Sequence, residues 1–169
     1  MGLDLASSTG FCYGDGSSTP VVGSERMPST GVEVGPFLDH FDRWLRVKLE
    51  TVRPDLVGFE APILSGRGTH IMTSRKLQGL AGLVEMQCHR FGIEVQEVGL
   101  QTVKRELTGH GRAEKHQMKA AARGFGITLS EGHESEDEAD AFGVWLVALR
   151  CNRPHLAGRW EPLFNLGET

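Results

Sequence analysis

Three apolar stretches of this chain each carry a carboxylate where a hydrocarbon side chain would be expected. Asp4 interrupts Gly2-Leu3-Asp4-Leu5-Ala6, and Glu60 closes Leu56-Val57-Gly58-Phe59-Glu60. Asp137 and Asp140 open a helix that continues Ala-Phe-Gly-Val-Trp-Leu-Val-Ala-Leu. Burying a carboxylate at a strand centre, a strand end or a helix start is costly unless cations or hydrogen bonds compensate it. If a fold brings the four acids together, the natural compensation is a hard divalent metal held by oxygen ligands. Metal-assisted phosphoryl chemistry is then the leading expectation from the residues alone.

A chain of 169 residues is enough for one domain with a real core. Its 39% hydrophobic and 24% charged residues read as soluble and globular. No apolar run approaches the roughly 20 residues of a membrane span, and Asp4 interrupts any apolar leader. The expectation is a cytoplasmic protein. Cys12, Cys88 and Cys151 are an odd number without paired spacing, and read as reduced core or surface thiols.

The formal charge of −4 argues mildly against nucleic-acid binding, but its distribution softens that objection. Lys104, Arg105, Arg112, Lys115, Lys119 and Arg123 face only Glu106 and Glu114 in the same stretch. The segment 131–140 holds six acids and no Lys or Arg. An acidic pocket beside a basic ridge is compatible with a phosphate backbone as ligand.

Three strands are predicted before residue 35, at Gly2–Ala6, Gly10–Tyr13 and Val21–Met27, separated by Gly, Ser, Asp and Pro clusters. Pro36 suits the first position of a helix running to about Val52, with Phe37, Phe41, Trp44 and Leu45 on one face and Pro54 as its stop. Asp55–Glu60 reads as a central strand. A loop over Ala61–His70 leads to a helix ending near Arg90, in which Gly79 and Gly82 suggest close packing on another backbone. A strand at Ile93–Val98, short helices at Gln101–Leu107 and Ala113–Arg123, and a buried helix over Glu138–Arg150 complete a mixed α/β pattern. The tail from Asn152 shows no period.

Each acid also has a plain reading. Asp4 fits a sheet edge or turn, Glu60 the start of a solvated loop, and Asp137 and Asp140 an acidic helix N-terminus beside Glu134, Glu136 and Glu138. Their conjunction raises the functional reading. One or two Mg²⁺ ions, roughly 3.5–4 Å apart in a two-metal site, would relieve the mutual repulsion and activate a water against a phosphodiester. No convincing Ser/His/Asp or Cys/His set competes. His133 lies near the acidic helix but reads better as a surface histidine than as a proton carrier. His110 and His116 are left open between the basic ridge and solvent. Arg67, Arg75 and Lys76 fit a charged helix face. Trp160 and Phe164 are expected to pack onto the domain.

At these positions the chain resembles the RuvC-like Holliday-junction resolvases of the RNase H-like nuclease superfamily. The resemblance rests on Gly2-Leu3-Asp4-Leu5-Ala6-Ser7-Ser8-Thr9-Gly10, Val57-Gly58-Phe59-Glu60, Asp137-Glu138-Ala139-Asp140-Ala141, and the basic stretch from Val103 to Lys115. It implies a five-stranded mixed sheet flanked by helices, with residues 1–150 as the nuclease domain and 151–169 as a tail on it. It implies Mg²⁺-dependent nicking of branched DNA such as four-way junctions, with Mn²⁺ as a substitute, by a homodimer. By matching position, Asp4, Glu60, Asp137 and Asp140 would be metal ligands, and Lys104 and Lys115 phosphate contacts near the catalytic centre.

Two features depart from the family pattern. Members often carry a base-stacking aromatic after the strand-end Glu. Here the loop Ala61-Pro62-Ile63-Leu64-Ser65-Gly66-Arg67-Gly68 has none, leaving Ile63 or Leu64 as a candidate wedge or rim residue. The net acidity is the second. Both bear on the substrate more than on the chemistry. Competing readings are a relative acting on forks or RNA–DNA hybrids, a catalytically silent junction binder, and an actin-like ATPase. For the last, the chain is too short and lacks a second phosphate loop.

Overall fold

Alternation along the strands decides what covers each face of the sheet. The structure, a computed structural model, describes residues 1–62 and 71–161. In chain order the elements are β1 (Gly2–Asp4), β2 (Ser8–Tyr13), β3 (Val21–Arg26), α1 (Gly35–Val52), β4 (Leu56–Glu60), α2 (Ile71–Phe91), β5 (Glu94–Val98), α3 (Leu100–Thr108), α4 (Lys115–Gly124), α5 (Glu134–Asn152) and α6 (Pro154–Ala157). The strands form one five-stranded sheet in the order β3-β2-β1-β4-β5. The β1–β2 and β2–β3 pairs are antiparallel, and the β1–β4 and β4–β5 pairs parallel.

Successive residues of a strand point to opposite faces. Leu3, Leu5, Phe11, Val57 and Phe59 share a core with Phe37, Phe41, Leu45 and Leu49 of α1 and with Leu80, Val84 and Cys88 of α2. The residues between them (Gly2, Asp4, Gly10, Cys12, Gly58 and Glu60) lie on the other face, beneath α5. Glycine is what lets α5 lie so close. A Cβ on Gly10 would collide with the carbonyl of Asp137, and one on Gly2 would sit 2.5 Å from the backbone nitrogen of Trp145. Helix α5 is buried on all sides from Ala141 to Leu149, being covered in turn by Val103 and Leu107 of α3 and Met118 and Ala122 of α4. Each side chain of the size of Phe142 or Leu146 contributes about 1.5–3 kcal/mol by leaving water.

The first helix forms as its sequence suggests, with Pro36 in its first turn and a buried stripe of Phe37, Phe41, Leu45 and Leu49, while Trp44 is half-buried. Arg53 closes it in the left-handed conformation, its N–H bonded to Leu49 O at 3.0 Å.

Other expectations need correction. Helix α5 begins at Glu134, four residues before its expected start, and runs to Asn152. The tail beyond it is not formless: α6 occupies Pro154–Ala157. Helix α4 starts at Lys115 rather than Ala113, because the Gln117 side chain accepts the Glu114 N–H at 2.8 Å and sets the helix start there. Gly79 packs on a side chain, Leu38 of α1, and Gly82 faces open space, so neither approaches a neighbouring backbone. Cys12 and Cys88 are buried and Cys151 exposed, all as free thiols.

Trp160 is buried edge-on against Trp145, their ring centroids 5.0 Å apart, and donates Nε1–H to Gly16 O at 3.0 Å. Phe164 lies outside the described residues. Among the described residues no helix is long and apolar enough to cross a membrane.

Candidate active site

Asp4 is the last residue of β1 and Glu60 the last of β4. The two strands run parallel with Gly2 beside Gly58 and Leu3 beside Phe59, so the next step of that register sets Asp4 alongside Glu60 on one sheet face. Asp4 also pairs with Gly10 of β2, the glycine over which the Asp137 carbonyl sits. Asp137 and Asp140 are three residues apart and share a helix face. Strand register and the glycine contact thus bring carboxylates from β1, β4 and α5 toward the C-terminal ends of two inner strands, β1 and β4.

The electrostatics record that convergence. Burial pushes the Asp4 carboxyl well above the ordinary range, and Asp140, Glu60 and Asp137 push it further, against Lys115. Burial and Asp140 raise Glu60 to about 7, with Lys104 opposing. Burial raises Asp140 to about 6, while Lys115 and Lys104 pull it down and Asp137 and Glu136 push it up. Asp137 is raised by burial and held back by a hydrogen bond from Ser8 and by Lys115. Among the described residues no three His, Cys, Asp or Glu side chains close in on one point as a ready-made ligand cluster. Asp4 is within repelling reach of Asp140, Glu60 and Asp137, and Glu60 of Asp140. In kind they fit a hard dication: oxygen donors, half-buried, each made less acidic by its neighbours.

Two lysines stand over these acids. Lys104 on α3 is half-buried and acts on Glu60 and Asp140. Lys115 opens α4, donates to Glu136 Oε2 at 2.8 Å, and acts on Asp4, Asp137 and Asp140. Lys119 Nζ lies 3.6 Å from the other Glu136 oxygen.

The remaining acids of α5 have separate duties. Glu136 anchors Lys115 and Lys119, and that pairing holds its carboxyl below the usual range. Glu138 is buried, and both its oxygens are satisfied by Ser130, from N–H at 2.7 Å and from the hydroxyl at 2.6 Å. Only Glu134 stays exposed in the first turn, where the helix dipole accounts for it. By sequence alone Glu136 is one more helix-start acid. The signal was the spacing: Glu136 and Asp140 are four apart on one face, as are Lys115 and Lys119. Ser8, four residues beyond Asp4, opens β2 beneath the start of α5, and no sequence signal singled it out.

The other candidates fall outside this cluster. His133 precedes α5 and is exposed. His110 Nδ1 accepts the Arg112 N–H at 3.2 Å, and His116 pairs with Glu114 at 3.3 Å. Lys76 is tied to Thr30 Oγ1 and Gly31 O, both at 2.9 Å, and Arg75 is exposed. Ile63, Leu64 and Arg67 lie outside the described residues.

A mixed sheet in the order β3-β2-β1-β4-β5, with acids at the ends of β1 and β4 beneath a buried helix, is the RNase H-like fold. RuvC of Thermus thermophilus, solved in complex with a Holliday junction substrate, superposes with a TM-score of 0.70 at 20% identity, over 96% of this chain and 97% of that one. Crossover junction endodeoxyribonuclease RuvC of Caldanaerobacter subterraneus is 25% identical over 140 residues, 83% of this chain and 82% of the relative. The same protein of Acidiphilium cryptum is 33% identical over 124 residues, 71% of this chain and 66% of the relative. Other matches are partial: the chain spans 56% of the length of the Rickettsia akari protein, at 29% identity over 54% of its own length. No family profile matches the chain. In fold, and in sequence over most of its length, the chain is similar to the RuvC-like resolvases.

Proposed function

We propose that this chain is a metal-dependent, structure-selective endodeoxyribonuclease that nicks four-way junctions and related branched DNA. The observation that carries the reading is the register that ends β1 and β4 in neighbouring carboxylates, Asp4 and Glu60, both raised by burial and by Asp140 of α5, with Lys104 and Lys115 opposing. The naming of the relatives as crossover junction endodeoxyribonucleases supports it, as does the Holliday junction held by the Thermus thermophilus protein.

In this reading the four acids hold Mg²⁺, with Mn²⁺ as a substitute. The bound ions would supply an activated water and neutralise the charge that builds on the leaving oxygen. The chain's own part is positioning. Asp4 and Glu60 are fixed by strand register, and Asp137 and Asp140 by the seating of α5. Lys104 and Lys115 meet the non-bridging oxygens of the scissile phosphate, for which Lys115 exchanges its contact with Glu136. In the hydrolysis a water oxygen bonds to phosphorus, the bond to one sugar oxygen breaks, and that oxygen takes up a proton. No protein nucleophile is required. Paired nicks would need two such centres, hence a homodimer, working in the cytoplasm. Residues 1–150 would form the nuclease domain and 151–169 a tail packed on the same domain.

Cleavage of labelled four-way junction, Y-fork, linear duplex and RNA–DNA hybrid in Mg²⁺, with Asp140→Asn as control, tests this. Symmetric nicks across the junction that vanish in the variant support it. Preference for forks or hybrids moves the substrate and keeps the chemistry. Junction binding without cleavage by the unaltered protein defeats it.

A further inference from the structure

A groove of about 820 Å³ opens beside the acidic site. It shares Asp137 with that site and includes neither Lys104 nor Lys115 among its lining residues. Its sides are the turn between β1 and β2, the end of β3 with the loop that follows, the first turns of α2, and the start of α5. Hydroxyls of Ser8, Ser24, Ser29 and Thr73 line it.

Two cations stand in this groove, and they differ. Lys76 is committed to the walls: its ammonium donates to Thr30 Oγ1 and Gly31 O and lies 4.8 Å from the Phe37 ring centroid. It staples α2 to the loop after β3. Arg26 is uncommitted. It ends β3, is exposed, and among the described residues its guanidinium has no hydrogen-bond or ion-pair partner. Its register partner across β2–β3 is Ser8, the residue that bonds Asp137. Cross-strand partners present their side chains on the same sheet face. A free guanidinium therefore stands one residue removed from the acidic cluster, on the α5 face.

From this arrangement we infer that the groove takes the sugar–phosphate backbone next to the scissile phosphate, with Arg26 contacting the neighbouring phosphate. The inference rests on the nuclease reading above and names a substrate contact that reading does not use. A guanidinium with hydroxyl donors around it suits phosphate oxygens. A stacked base is the poorer occupant, because the Phe37 ring in the lining lies beneath Lys76 and the other aromatic side chain there is the small imidazole of His133.

Arg26→Ala and Arg26→Lys, compared with the unaltered protein in steady-state nicking of a four-way junction, test it. For Arg26→Ala the expected result is a KM raised roughly tenfold with little change in kcat. The slope of log K against log salt should become shallower by about one. Arg26→Lys should recover the salt slope and only part of KM, since it keeps the charge and loses the fork. Replacing the neighbouring phosphate with a neutral methylphosphonate should cost the unaltered protein the same factor and cost Arg26→Ala nothing more. Unchanged KM and salt slope in Arg26→Ala, or additive losses with the methylphosphonate, would overturn the inference. Fluorescence anisotropy of junction binding by Asp140→Asn, with and without Arg26→Ala, reads the same contact without turnover. If the unaltered protein nicks and Arg26→Ala matches it, the contact alone fails. If the unaltered protein neither nicks nor binds, the nuclease reading fails and takes the contact with it.

Discussion

The carbonyl of Asp137 occupies the space that a Cβ on Gly10 would need. The contact seats the start of α5 on β2, next to the β1 residue, Asp4, that pairs with Gly10. Gly10→Ala must push the start of α5 off the sheet, because the obstacle is backbone. Nicking should fall by roughly 10²-fold, the scale of an ångström-sized misplacement of a catalytic group. Stability should fall by about 1–3 kcal/mol in urea titration. Gly82→Ala is the control: its Cβ meets nothing, and stability should hold or rise slightly. Equal nicking by the two variants would break the link between the glycine and the site.

Asp140 acts on both strand-end acids, raising Asp4 and Glu60. Asp140→Asn removes one repelling charge and, in the proposed reading, one anionic metal ligand. Nicking in Mg²⁺ should drop below detection while the fold and junction binding persist. Wild-type cleavage by this variant would place Asp140 outside the site.

Glu60 at about 7 and Asp140 at about 6 both titrate above the ordinary carboxylate range, Asp4 and Asp137 in the same direction. The folded state therefore binds more protons than the unfolded chain. Stability from these groups is fully present below pH ~4 and is lost as pH rises through the folded values of about 6 and about 7. In a chelator, stability should be lower at pH 8 than at pH 5.5 by an amount on the order of 1–3 kcal/mol, read as a lower midpoint of thermal unfolding. Millimolar Mg²⁺ should restore most of it at pH 8 and little at pH 5.5. A Mg²⁺ effect independent of pH would count against binding at these acids.

Lys104 lowers Glu60 and Asp140, and Lys115 lowers Asp4, Asp137 and Asp140. Removing either should move the acidic limb of the pH–rate profile upward and weaken the salt dependence of junction binding by about one unit of slope. A purely structural lysine would move neither quantity.

Trp160 fills the space against Trp145 and Phe142 and bonds Gly16 O through its indole. Trp160→Ala should cost about 3–5 kcal/mol in urea titration. A change within about 0.5 kcal/mol would mean that the residues after α5 contribute nothing to the core.

The sheet was largely legible in the chain because alternation is local. Leu3, Leu5, Val57 and Phe59 mark the face covered by α1 and α2, and the acids and glycines between them mark the other. The start of α5 was not legible, since Glu134, Ser135 and Glu136 carry no apolar signal and their helicity follows from the packing of what comes after. The helix α6 was missed because four residues are too few to show a period. Glu136 and Glu138 were indistinguishable as helix-start acids. Their partners differ: Lys115 opens α4, while Ser130 lies in the loop eight residues before Glu138, and the positions of the acids alone do not say which of them meets which.

Which residues carry unpaid charge was set by the sequence: an acid inside an apolar run must be compensated wherever the fold places it. Which of them meet was decided by the tertiary structure. Asp4 and Glu60 lie side by side through the parallel register of β1 and β4, and Asp137 and Asp140 reach them because glycine at positions 2 and 10 lets α5 settle onto the strands. Arg26 beside Ser8 is a matter of antiparallel register across two strands. Register and interelement distance depend on packing the whole chain at once, and no window of sequence contains them.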